Sequence, residues 1–78
     1  SQSKIQETFG FANYLTKVKN SASVRKGVDA IMDVRNQVPE RFRKFVDPGF
    51  KQAFGKISAA RKANGDNELA NYIDGLIK

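Results

Sequence analysis

Cysteine, histidine and tryptophan are all missing from this chain, and each absence closes off a chemistry. Without cysteine there are no disulfide staples and no thiolate ligands, and without histidine there is neither an imidazole ligand nor the commonest general base. A catalytic pair would have to be built from carboxylates or a desolvated lysine, which argues against a self-contained active site. The lack of cysteine suits a reducing or an oxidising compartment equally, so it leaves location open. No run of about 18 apolar residues is present, and the opening SQSKIQETF lacks the basic-then-apolar order of a signal peptide. The segment therefore reads as soluble, with no membrane partner. Proline occurs only twice, at Pro39 and Pro48, so backbone punctuation is concentrated in one place.

At 78 residues the chain reads as a single domain over 1–78. A domain of this size buries only about 60% of the surface its unfolded chain exposes, so stability is marginal. The net charge of +6 permits attraction to nucleic acid, acidic lipid or an acidic protein without choosing among them. The basic excess lies in the first half but is interleaved with acids, the ordinary pattern of a solvated helical surface.

The stretch VPERFRKFVDPGFKQAFGKISAAR (residues 38–61) organises the rest. It holds both prolines, four of the six phenylalanines and the basic cluster Arg41, Arg43 and Lys44. Before it, Ile5, Phe9, Phe11, Ala12, Leu15 and Val18 recur at helical spacing and predict a helix over 5–19. Gly10, between two phenylalanines, marks either a second backbone passing close or a glycine placed there by drift alone. Ser21 or Ser23 is the expected cap of a second helix running to about Asn36, with Val24, Val28, Ile31 and Met32 on one stripe.

Pro39 is well placed as the first residue of a short third helix over 39–46, with Phe42, Phe45 and Val46 inward. Asp47-Pro48-Gly49 repeats the signal, with Asp47 as cap of a fourth helix that presents Phe50, Ala53, Phe54, Ile57 and Ala60 and stops at Asn64-Gly65. Asp66 then caps a fifth helix bearing Leu69, Tyr72, Ile73, Leu76 and Ile77. No apolar alternation of period two is long enough for a sheet. The expectation is an all-α fold of about five short helices packed as antiparallel hairpins.

Few residues are candidates for function. Arg35 and Arg61 each follow an apolar stripe residue by one turn; either binds terminal carbonyls as a snorkelling side chain or points into a groove. Asp29 and Asp33 share a helix face and could do acid–base work or hold a hard cation, against the plainer reading of a charged outer face beside Arg25 and Lys26. Residues 64–68, NGDNE, offer oxygen ligands but lack the spacing of a calcium loop. A helix-turn-helix built from 39–46 and 49–63 is weakened by its two prolines, and the phenylalanines follow core stripes rather than alternating with bases. Nucleic acid is accordingly disfavoured as a partner.

Four segments, GFANYL (10–15), VRKGVDAI (24–31), VPERFRKFVDP (38–48) and ELANYIDGLI (68–77), resemble in order and spacing the C-terminal portion of bacterial zinc aminopeptidases related to aminopeptidase N, particularly the large Bacteroidetes-type members. The resemblance implies an excised C-terminal domain at the end of an α-superhelical, HEAT- or armadillo-like stack. Its partners would be the upstream domains of the same chain. Zinc and the H-E-x-x-H motif would lie upstream, since no histidine here can carry them, and this segment would hold no cofactor. It would be non-catalytic, capping the stack and shaping substrate access, with Arg35 and Arg61 as candidates to meet a peptide carboxylate within the parent enzyme. The parent would be bacterial, either cytoplasmic or exported. A free-standing basic helical adaptor or nucleic-acid-binding domain is the alternative.

Overall fold

The computed structural model describes residues 2–78, with side chains from residue 4 onward. Four helices follow one another: α1 (Gln2–Leu15), α2 (Ser21–Gln37), α3 (Glu40–Ala63) and α4 (Asn67–Asp74). The all-α expectation holds, and no strand forms among the described residues. The expected count of five is corrected to four, because the third and fourth predicted helices are one.

Pro48 lies inside α3 instead of starting a new helix. Its missing N–H leaves the Lys44 carbonyl without its backbone donor, a defect costing about 3 kcal/mol in a helix interior. Burial offsets it. Phe50, Phe54 and Ile57 form one fully buried stripe, and half-buried Val46 continues it across the proline. Asp47 does not cap, since its carboxylate is bound to Arg35 of α2. Pro39 sits one position earlier than predicted, as the extended residue before Glu40.

A continuous α3 also changes which way the first phenylalanines face. At 100° per residue, Phe42 and Phe45 lie roughly 90° and 150° from the centre of the stripe running through Phe50, Phe54, Ile57 and Arg61. They are 46% and 72% exposed, so the inward placement expected for them is overturned.

The remaining boundaries shift modestly. α1 ends at Leu15, four residues early, in a turn where the N–H groups of Thr16, Lys17 and Val18 donate to carbonyls three residues back. The cap of α2 is Asn20, whose Oδ1 accepts from the Ser23 N–H at 2.9 Å, rather than either serine. The end of α3 is as expected: Gly65 takes φ +81°, in the left-handed region. The Asp66 carboxylate then accepts from the Leu69 N–H at 3.1 Å and caps α4. α4 is shorter than its apolar stripe, and Leu76 and Ile77 pack on the core from beyond its end.

Contacts between α1 and α2 pair Leu15 with Gly27, while those between α2 and α3 pair Arg35 with Asp47 and Ser21 with Arg61. Such pairings run antiparallel, so α1, α2 and α3 go up, down and up. α3 touches all three other helices, most extensively α4, and α1 and α4 do not meet among the described residues. One core results: Ala12, Leu15, Val24, Val28, Ile31, Phe50, Phe54, Ile57, Leu69 and Ile73. The radius of gyration, 12.0 Å, is close to the roughly 11.5 Å expected of a compact chain this long, so the helices close on one another.

Side chains of α1 press against the backbone at Gly27 and Gly49, and nothing approaches Gly10. A Cβ on Gly27 would stand 2.7 Å from Leu15 Cδ1, and one on Gly49 would stand 2.9 Å from Phe9 Cζ, whereas Gly10 has nothing within 4 Å. The glycine between two phenylalanines therefore marks no crossing. Gly27→Ala is expected to destabilise by about 1 to 3 kcal/mol despite alanine's better helix propensity, because buried Leu15 cannot retreat. Gly10→Ala is expected to stabilise by up to about 1 kcal/mol. Urea melts of the two variants that ranked them the other way would refute this packing.

Candidate functional site

The most buried of the charged side chains are spent on holding helix ends. Arg61 is 0% exposed. Its Nη1 donates to the Lys19 carbonyl at 3.1 Å and to Ser21 Oγ at 3.5 Å, and its Nη2 donates to the Val18 carbonyl. Those carbonyls lie at the end of the turn that leaves α1. One guanidinium therefore closes the α1–α2 connection, and its Nε stays buried without a hydrogen-bond partner. The backbone carbonyl of the same residue accepts from Asn64 and Asp66, so Arg61 ties together the ends of α1 and α3. Asp66 in turn is held below the usual carboxylate range, first by the Ser21 hydroxyl and then by the Leu69 N–H.

Arg35 performs a similar task at the opposite end. Its Nε and Nη2 grip Asp47 Oδ1 and Oδ2 at 2.9 and 2.8 Å, a two-pronged pair from α2 to α3. The bond from Arg35 holds the Asp47 carboxyl below its ordinary value and raises the guanidinium above its own. Arg43 donates to the carbonyls of Asn36 and Val38, both at 3.0 Å, and seals the end of α2. Of the basic cluster, then, Arg43 is committed to the fold. All three guanidinium nitrogens of Arg35 and both Nη atoms of Arg61, the two candidates for a peptide carboxylate, are likewise engaged within the chain, leaving only the buried Arg61 Nε unpaired.

Asp29 and Asp33 do not act as a pair. Asp29 accepts a 2.6 Å bond from the Tyr72 hydroxyl, and the Arg25 guanidinium lies 4.0 Å above the Tyr72 ring, so this group fastens α4 to α2. The carboxylate pushes the Tyr72 hydroxyl pKa above its normal value. Among the described residues no three carboxylates converge on a point, and the sequence offers no imidazole or thiolate. The donor set present does not fit a zinc site. Residues 64–68 serve as the stop of α3 and the cap of α4. The proposed helix-turn-helix is excluded by the unbroken run of α3 through Pro48.

Two exposed aromatic pairs remain, Phe11 with Tyr14 on α1 and, on α3, Phe42 with Phe45, which the sequence pattern had placed inward. Phe42 and Phe45 project from the first half of α3, with the Arg41 guanidinium 4.7 Å from the Phe42 ring and the Lys44 ammonium 5.3 Å from the Phe45 ring. Nearby, the start of α1, the end of α2 and the start of α3 leave a cleft of about 500 Å³, lined by Ile5, Val34, Val38, Pro39 and Val46 together with Lys4 and Gln37. The missed signal was Phe45, which falls out of register once α3 is drawn without a break. Comparison with protein-family models, with curated proteins and with solved structures returns no match.

Two outcomes follow from these polar ties. Arg61→Met keeps the length and apolar stem but leaves the Val18 and Lys19 carbonyls unpaired, so it is expected to cost about 2 to 4 kcal/mol in a urea melt, with Arg61→Lys recovering only part. A loss under about 0.5 kcal/mol would show that water replaces the guanidinium freely. Asp47 has a depressed folded pKa, so its contribution is fully present above the ordinary carboxylate pKa of about 4 and is lost as pH falls through the folded value. Asp47→Asn is expected to lower stability by on the order of 1 kcal/mol near pH 6, with the gap to the parent closing near pH 2. A gap unchanged by acid would refute the ionic origin.

Proposed function

We propose that this chain is the non-catalytic C-terminal helical domain of a zinc-dependent aminopeptidase, ending a helical stack and shaping access to an active site carried upstream. Its contribution is steric and mechanical: it closes an apolar seam and holds its own helices rigid by the ties at Arg61, Arg35 and Tyr72. The single observation that supports this reading is the aromatic and apolar surface the bundle leaves uncovered. Phe42 and Phe45 stand exposed on α3 near an apolar cleft, and Phe11 and Tyr14 form a second exposed pair on α1, as on a terminal unit that rests on a neighbour.

The resembling segments are consistent with that role. GFANYL falls on α1, VRKGVDAI on α2 and ELANYIDGLI largely on α4, all contributing to the core, whereas VPERFRKFVDP forms the open corner itself. Peptide hydrolysis in the parent would be the work of zinc ligands outside this chain, which has none to offer. A peptide-carboxylate contact at Arg35 or Arg61 would require the partner to displace Asp47 or the Val18 and Lys19 carbonyls.

The test is the reading frame from which the segment comes. Translation upstream is expected to reveal H-E-x-x-H followed by a further glutamate, and the purified parent is expected to release N-terminal residues from peptides in a chelator-sensitive way. A stop codon immediately before the segment, or an upstream region without that motif, would sink the proposal.

A further inference from the structure

We infer that the α2–α3 corner, formed by Phe42, Phe45 and the cleft at Val38, Pro39 and Val46, docks an acidic amphipathic helix of a neighbouring protein or domain. This rests on the proposed function for its biological setting and names the chemistry of the neighbour. Three features converge there. A cleft of about 500 Å³ is walled largely by apolar side chains, among them Ile5, Val34 and Val46 from three helices. Phe45 is the most exposed of the large hydrophobic side chains, at 72%, and Phe42 stands beside it one turn earlier at 46%. Finally, the rim is basic.

Lys4 lines the cleft, Arg43 reaches the Val38 and Asn36 carbonyls at its edge, and Arg41 and Lys44 lie against the Phe42 and Phe45 rings; of the acids in the same stretch, Asp47 is paired with Arg35, which leaves Glu40. Arg41 and Lys44 lie over the faces of Phe42 and Phe45, so each ring carries a cation beside it. An incoming helix with an apolar stripe and flanking carboxylates would set one side chain into the cleft and two against the rings, and its acids would meet Arg41 and Lys44. Anionic lipid shares the charge and apolar requirements, but a bilayer surface is met by convex protruding faces, and a cleft between helix ends would lie empty against it. A second copy of this chain is disfavoured by its own +6 charge.

The experiment uses the isotopically labelled 78-residue chain and two synthetic helices of identical leucine stripe, one flanked by glutamate and the other by lysine. The glutamate peptide is expected to bind saturably, to shift backbone amide resonances around residues 38–46, and to bind about tenfold or more tighter than its lysine twin. Phe42→Ala/Phe45→Ala is expected to weaken it by about tenfold or more without lowering the melting temperature, since both rings are largely outside the core. Arg41→Glu/Lys44→Glu is expected to reverse the preference between the twins.

Absent saturation, equal affinity for the two peptides, or resonance shifts elsewhere on the surface would each overturn the inference. So would sedimentation of the chain with phosphatidylserine–phosphatidylcholine vesicles, dependent on Phe42 and Phe45, when the glutamate peptide does not bind; the surface would then belong to a membrane. The two readings fail separately. Peptide binding by a chain whose reading frame lacks H-E-x-x-H sinks the aminopeptidase assignment alone, and an intact upstream motif with no peptide binding sinks the docking chemistry alone.

Discussion

Burial of one apolar stripe along α3 is the constraint on which this molecule depends. Phe50, Phe54 and Ile57 present almost no surface to water, and they are the side chains that α1, α2 and α4 cover together. At about 25 cal/mol per Å² of apolar area removed from water, three such residues supply several kcal/mol, more than the penalty of a proline in the helix interior. That comparison explains why the chain keeps a single helix where its local signals ask for two. The Phe9 ring, edge-on to Phe50 at 5.2 Å and tight against Gly49, locks α1 onto the same point just past the proline.

Polar groups then fix the ends that apolar packing leaves loose. Arg61 binds the carbonyls where α1 finishes, Arg35 and Asp47 join α2 to α3 near the opposite end, Arg43 closes α2, and Tyr72 with Asp29 ties α4 down. Hydrophobic contacts are non-directional and tolerate sliding, whereas a guanidinium that must reach two carbonyls specifies one register. Such a small core needs that specification. It also accounts for why Arg35 and Arg61, the two arginines on the apolar stripes, are committed to the fold.

A mechanical rather than chemical role suits this distribution. Two exposed phenylalanines with their adjoining cations and an apolar cleft sit at one corner of the bundle. Binding at such a corner would be governed by desolvation of Phe42 and Phe45, with the charges selecting the partner and its orientation.

Helical class, the caps at Asp66 and the stop at Gly65 were all legible in the letters, because each depends on residues within a few positions of one another. The core lists were largely legible for α2 and α4, where the apolar period runs unbroken. Three things were decided only by the tertiary structure. Pro48 is tolerated because distant α1 and α2 bury its flanks; Phe42 and Phe45 face outward because that tolerance fixes their register; and Gly27, not Gly10, admits a neighbour because Leu15 reaches it across the bundle. Local signals set what each segment can form, but a choice between two permitted forms goes to whichever buries more surface, and that surface belongs to residues far away in the chain.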